Sequence, residues 1–233
     1  MTSLRHVEVV VPARDEEEHV QGCLSSIRAA THLLRSLHPT VSTGVTVVLD
    51  SCADSTAEIV RQLEIHSVAG EFGSVGAARR AGIADALIRA DIHTDSLWLA
   101  NTDADTLVPD TWLLTQLQLA DNGADAVIGT VTPAGLEPEI HRLWREKHCL
   151  TEGHGHVHGA NLGLRASVYA AAGGFADLTV HEDRDLVRRV RAVTPRWVAT
   201  HRTTVTTSGR THSRVDGGFA SYVADLARDS TCV

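Results

Sequence analysis

The sequence predicts an α/β domain built on one central, mostly parallel sheet with helices on its faces. Two observations carry this. Strand-like and helix-like segments alternate from Val7 to Thr130 with short connections, which implies parallel strands joined by right-handed crossovers. The segment Leu97-Trp98-Leu99-Ala100 is a short continuous apolar run, the pattern of a buried strand. With 43% of 233 residues hydrophobic and 21% charged, the chain can build a real core. Its length allows one large domain or two small ones, and no linker, repeat or low-complexity tract divides it, so residues 1–233 read as one domain.

Val7-Glu8-Val9-Val10-Val11 is the first strand, stopped by Pro12. Asp15-Glu16-Glu17-Glu18 opens a helix, with Asp15 as cap and Glu18 at the capping-box spacing; Val20, Cys23, Leu24, Ile27 and Leu34 form its apolar face. A strand over 45–49 leads to the polar turn Asp50 to Thr56, a helix over about 56–63 and a short strand over 65–68. Gly70 to Gly76 is a glycine-rich loop before a helix over 77–88. The strand over 97–100 runs into Asp103-Ala104-Asp105. A helix from Pro109-Asp110 follows, with Leu113, Leu117 and Ala120 inward and Trp98 and Trp112 in the core, and then a strand over 126–130.

The second half is less regular. It reads as a helix over 140–150, a Gly/His loop over 153–159, a strand over 161–165 and a turn at Gly173-Gly174-Phe175. A helix follows whose first turn holds Glu182 and Asp183, then two short β-like runs over 197–207, a polar loop over 208–218 and a last helix over 219–228.

The formal charge of -8 argues against a nucleic-acid groove. No apolar run approaches the ~20 residues that span a bilayer, and the first residues show no signal-peptide pattern. Cys23, Cys52, Cys149 and Cys232 are scattered, which favours reduced thiols and a cytoplasmic setting.

Ligands of such sheets sit outside the carboxyl ends of the strands. Pro12-Ala13-Arg14, Asp50-Ser51 and Asp103-Ala104-Asp105 should therefore line one crevice. If Asp103 and Asp105 stay extended, their side chains share a face. Paired oxygens there suit a hard divalent cation and the phosphates it bridges, although a solvated Asp-rich turn has the same sequence. In a chain this acidic, a phosphate ester would need a cation or a few placed arginines.

With these residues laid out, the chain resembles the family-2 glycosyltransferases of the GT-A fold from about Val7 to Phe219. Val10-Val11-Pro12-Ala13-Arg14-Asp15-Glu16-Glu17 is similar to that family's opening strand and helix. Val47 to Thr56 resembles its acidic second motif, with Leu49 in place of one acid. Gly76-Ala77-Ala78-Arg79-Arg80-Ala81-Gly82 resembles its Ala-Arg-Asn helix start, with Arg80 for Asn. Asp103-Ala104-Asp105 resembles its DxD metal motif, Gly159 to Arg165 with Gly173-Gly174-Phe175 its acceptor-side segment, and Glu182-Asp183 its catalytic acid pair. Arg196-Trp197 has Val193 where processive synthases carry Gln, which points to a single-addition enzyme.

The resemblance implies a nucleotide-diphosphate sugar donor, a hydroxyl acceptor that is a small molecule or glycan, and Mn2+ or Mg2+ as cofactor. It makes Asp105 the main metal ligand and puts Asp103 on the ribose or the metal's waters. Asp50 would accept from the base, flanked by Pro12, Ala13 and Glu16. Gly76 and Arg79 would reach the nucleotide or a phosphate, although Arg79 reads equally as a surface residue. Asp183 is the candidate general base, and Glu182 the second candidate or an acceptor-orienting group. Helix N-terminal charge complementarity would account for both acids without catalysis. His158, Gly159, Ala160 and Asn161 fall on the acceptor side. His154, His156 and His158 alternate and could share a face for Zn2+, but they fit better as loop residues near the acceptor. Arg210-Thr211-His212 resembles the Arg-x-His segment of the glucosyl-3-phosphoglycerate and mannosylglycerate synthases, implying Arg210 on the diphosphate and His212 on the metal.

Residues 1–130 would then bind nucleotide and 131–233 the acceptor; a homodimer is compatible with the sequence. The acid pair leans towards inversion and the Arg-x-His segment towards retention. A sugar-phosphate nucleotidyltransferase is the weaker enzyme reading, since Pro12 to Glu16 is not a Gly-rich phosphate loop. A nucleotide-binding module without chemistry is the non-enzymatic one.

Overall fold

In the centre of the molecule β1 (His6–Ala13) and β4 (Leu97–Asn101) run side by side in parallel, with Val9 opposite Ala100. This is a computed structural model describing residues 4–148 and 150–210, so His212 and the helix expected over 219–228 lie outside the described residues. β2 (Ser42–Asp50) flanks β1, and β3 (Ser67–Gly70) lies beyond it, both parallel. Past β4 the directions mix. β7 (Leu162–Arg165) runs antiparallel between β4 and β6 (Ala126–Ala134). β8 (Trp197–Ser208) runs parallel to β6, and β5 (Thr106–Leu107) closes the edge. The order is β3-β2-β1-β4-β7-β6-β8-β5, a single sheet in which parallel pairs predominate.

Strand alternation sends side chains into two cores. Val7, Val9, Val11, Trp98 and Ala100 share one core with apolar residues of α1 (Val20–Leu37), α2 (Thr56–Gln62) and α4 (Trp112–Asp121). Val10, Leu97, Leu99, Ile128 and Leu162 share the other with α3 (Val75–Ala90), α6 (Ala166–Ala171) and α7 (Glu182–Val193). Both faces are covered, so the central strands are apolar on both sides. Glu8 is a buried charged exception, and His6, Thr46 and Arg89 satisfy its carboxylate. One further helix, α5 (Pro138–Lys147), opens with its proline in the first turn.

Three expectations change. β1 continues through Pro12, which pairs with Val48 one residue from the strand end. The Asp15-to-Glu18 run does not cap α1, which starts at Val20 after a turn closed by bonds to the Glu16 carbonyl. The two runs over 197–207 belong to one strand. Its ladder with β6 breaks where β6 advances from Gly129 to Val131 while β8 advances from Thr200 to Val205.

Candidate active site

Strand order reverses between β1 and β4, and a cavity of about 1030 Å³ opens over the carboxyl ends of the strands there. Pro12, Ala13, Asp50 and Asp103 to Asp105 line it from the sheet. Ser74 and Arg79 of the α3 start, the segment 155–160, His181 to Asp183 and the end of β8 wall it in.

The acidic run after β1 is a clamp between loops. Asp15 Oδ1 accepts from the Ala53 amide and Thr56 Oγ1 from the Glu16 amide, at 2.6 and 2.7 Å. Asp54 accepts from the Glu17 amide and Glu17 from the Ser55 amide. Asp54 also accepts from the Thr56 amide at the start of α2. Asp50 Oδ1 accepts from the Phe72 amide at 2.8 Å and so ties down the loop before α3. Asp15, Ser51 and His181 hold left-handed backbone (φ 51°, 52° and 63°), strain of ~1 kcal/mol or more each that concentrates next to Asp50 and Glu182.

Asp103 and Asp105 are not extended. The Thr106 amide bonds back to the Asp103 carbonyl at 3.1 Å, and the resulting turn divides the pair. Asp103 pairs with Arg79. Asp105 faces Arg210, whose guanidinium stands 3.1 Å from Oδ2 and donates to both oxygens of Glu16 at 2.7 and 2.9 Å. Burial, reinforced by Asp103 and opposed by Arg210, pushes the Asp105 carboxyl up to about 6.

Arg79 is 1% exposed, not a surface residue. It donates to the Thr102 carbonyl and Asp103, stands 3.5 Å from Glu182 and lies 5.7 Å from the centre of the Phe175 ring. Burial opposes its charge, and Asp103 and Glu182 outweigh that, so its pKa is raised. Glu182 is pushed up to about 7 by burial, against Arg79 and with Asp183. Asp183 accepts from the Gly159 amide at 2.8 Å and from the Arg184 amide. The two acids therefore differ, one buried beside a guanidinium and one held by backbone amides.

Gly76 lies behind the cavity wall, not on it. A Cβ there would stand 2.0 Å from the Ala176 carbonyl oxygen, so glycine lets α3 touch the segment before α7. Asn161 is also withdrawn from the acceptor side. Its amide donates to the Thr130 and Thr203 carbonyls and accepts from Trp112 Nε1, which knots β6, β8 and α4 together. His158, Gly159 and Ala160 do line the cavity. The histidine loop stacks ring on ring. Trp144 lies on His148, His148 on His156, and His154 and His158 lie 5.9 and 6.3 Å from His156. Faces meet, not ring nitrogens, and among the described residues no group of three or more His, Cys, Asp or Glu could hold a metal, so the zinc reading falls. Burial pushes His158 down to about 3 and leaves it neutral. Sequence reasoning passed over His181 and three arginines, Arg184, Arg188 and Arg191, on the cavity wall; the arginines' helical spacing is the signal.

Among the described residues no helix is long and apolar enough to cross a membrane. No curated protein matches the chain. Solved structures with the same fold do. TarS 1–349 of S. aureus in complex with UDP is 14% identical with a TM-score of 0.63, over 98% of this chain and 72% of that one. In the TarS 1–349 structure without UDP the match covers 61% of that protein's chain. The mannosyltransferase PcManGT of Pyrobaculum calidifontis, with GDP-Man and Mn2+, is 17% identical with a TM-score of 0.60, over 97% of this chain and 64% of that one. Glucosyl-3-phosphoglycerate synthase of Mycobacterium tuberculosis, with Mn2+, UDP-glucose and phosphoglyceric acid, is 14% identical with a TM-score of 0.57, over 98% of this chain and 80% of that one. The model of glycosyl transferase family 2 matches residues 8–169, which takes in both acids of the β4 turn and the loop that holds Asp183, and the chain belongs to that family.

Proposed function

We propose that the protein is a metal-dependent glycosyltransferase, most simply a hexosyltransferase, that moves a sugar from a nucleotide-diphosphate sugar to a hydroxyl with inversion. The observation that supports this best is the chain of charges across one cavity, from Asp105 and Asp103 through Arg79 to Glu182 and its neighbour Asp183. Residues up to about 130 would hold the donor, with Pro12, Ala13 and Asp50 around the base. Residues from about 131 would hold the acceptor, with His158 to Ala160 beside Asp183.

The residues fit a hard cation in part. Asp105 is a buried oxygen donor whose shifted carboxyl asks for positive charge, and the Arg210 guanidinium now supplies it. One carboxylate is too few for a closed site, so the diphosphate and water would complete the shell. Mn2+ or Mg2+ bound there would stabilise the charge developing on the leaving diphosphate. On the other side, Asp183 would take the proton of the attacking hydroxyl. Its amide partners Gly159 and Arg184 fix the carboxylate's direction. The neighbouring structures with UDP, or with Mn2+ and GDP-Man or UDP-glucose, support the same ligand class.

The test is release of nucleoside diphosphate from UDP- and GDP-sugars with Mn2+, Mg2+ or chelator, with the product anomer assigned by NMR. Nucleoside diphosphate release that requires metal is expected. Pyrophosphate release, or tight nucleotide binding with no turnover over a broad screen, would refute it.

A further inference from the structure

α7 carries Arg184, Arg188 and Arg191 at spacings of four and three, so they share one face of the helix over a length of about 10 Å. Leu186, Val187 and Val190, on the adjoining side of the helix, are buried, and Val187 meets the cavity floor beside the arginines. All three arginines line the cavity, and the stripe begins one residue after Asp183.

The acids of the cavity do not neutralise this stripe. Asp103 and Glu182 face Arg79, and Glu16 and Asp105 face Arg210. Asp50 takes the Phe72 amide, and Asp183 the amides of Gly159 and Arg184. Arg188 pairs with Asp185 in an exposed contact at 2.8 Å, a kind of pair worth little. The Arg191 guanidinium carbon lies over the Trp197 ring, 4.3 Å from its centre, a contact that does not cancel its charge. Among the described residues Arg184 makes no ion pair, and its charge disfavours protonation of His156 and His158 on the facing wall. A cationic wall inside a chain of net charge -8 is a local field for an anion.

We infer that the acceptor is a small hydroxy compound bearing a phosphate or a carboxylate, and that Arg184 and Arg188 hold that anion. Guanidinium forks bind both groups in paired geometry. The distance sets the size. Arg184 and Arg188 follow Asp183 by about 1.5 and 7.5 Å along the helix axis, so one small acceptor can meet the carboxylate and both side chains. The inference rests on the glycosyltransferase reading above.

Thermal shift on the whole protein separates the two. With Mn2+ and either UDP or GDP saturating, the diphosphate subsite is filled and inorganic phosphate, acetate and chloride are titrated at constant ionic strength. Phosphate or acetate should raise the melting temperature above chloride, and whichever gives the larger rise names the anion. The double variant Arg184→Gln/Arg188→Gln, substituted at two exposed positions, should keep its melting temperature without ligand and its shift with UDP or GDP, but lose affinity for the anion at least tenfold. An equal anion response in both proteins, or none beyond chloride in the wild type, overturns the inference. No shift with either nucleotide and Mn2+ overturns the donor reading instead. In turnover, glycerate or glycerol 3-phosphate should outperform glycerol, and the double variant should raise KM for the anionic acceptor while KM for the donor stays put; glycerol serving as well as both overturns the inference.

Discussion

Arg79 stands 3.5 Å from Glu182, both inside the protein, and the same guanidinium holds Asp103. One buried cation thus joins the turn after β4 to the start of α7. Removing it leaves two acids without their partner, and breaking a buried pair from one side costs about 3–5 kcal/mol. Arg79→Met should lose that much stability in urea at pH 8. At pH 5, where Glu182 is protonated, the loss should be smaller. An equal loss at both pH values would mean that packing on Phe175, not charge, fixes Arg79.

The raised Glu182 carboxyl makes stability fall with pH. Below its unfolded value of 4.5 both states hold the proton, and above about 7 neither does. Between them the unfolded chain releases it first, so folding loses up to about 3 kcal/mol as pH rises. Asp105, between 3.8 and about 6, acts in the same direction. His158 acts in the other, since its stabilisation disappears as pH falls from 6.5 towards about 3. The difference between wild type and Glu182→Gln isolates one group. The variant should be more stable at pH 8 by a few kcal/mol and equal at pH 4. A difference independent of pH would reject the raised carboxyl.

Asn161 has no other residue to substitute for it. Its Oδ1 takes Trp112 Nε1 at 2.9 Å, and its Nδ2 serves two carbonyls at 2.6 and 2.8 Å. Each buried group left unsatisfied costs about 1–3 kcal/mol. Asn161→Ala should therefore lose at least about 3 kcal/mol, and the surviving folded protein should keep its nucleotide affinity. Intact stability with weakened acceptor binding would restore the acceptor-side reading.

These residues show where sequence is enough. The β-α alternation put Pro12, Asp50 and Asp103 at one sheet edge, because strand ends are local features and topology follows from connection length. The Asp15 to Glu18 run misleads because acids suit a helix start and a loop clamp alike, and the deciding partners, Ala53 to Thr56, lie almost forty residues on. Arg79 reads equally as a nucleotide contact and as a surface residue until Asp103 and Glu182 arrive from two distant segments to neutralise it. The arginines of α7 are written at helical spacing but look like a solvated face until the cavity is seen.

The two acids at the head of α7 differ in what they can do, and a pair of isosteric variants tells them apart. Asp183 accepts two backbone amides, and these bonds fix the direction of its carboxylate. Asn at that position can still accept the Gly159 amide but cannot take a proton. Asp183→Asn should fold normally, bind donor normally and lose about 10²- to 10⁴-fold in kcat, the usual worth of a general base. Glu182 holds its proton up to about 7, so Gln resembles the form it already has. Glu182→Gln at pH 6.5 should keep kcat within about tenfold, short of the loss expected for a base. Steady-state release of nucleoside diphosphate, with product stereochemistry, measures both. If Glu182→Gln is the dead variant and Asp183→Asn turns over, the base is Glu182 and the amides at Asp183 serve only to shape the acceptor loop.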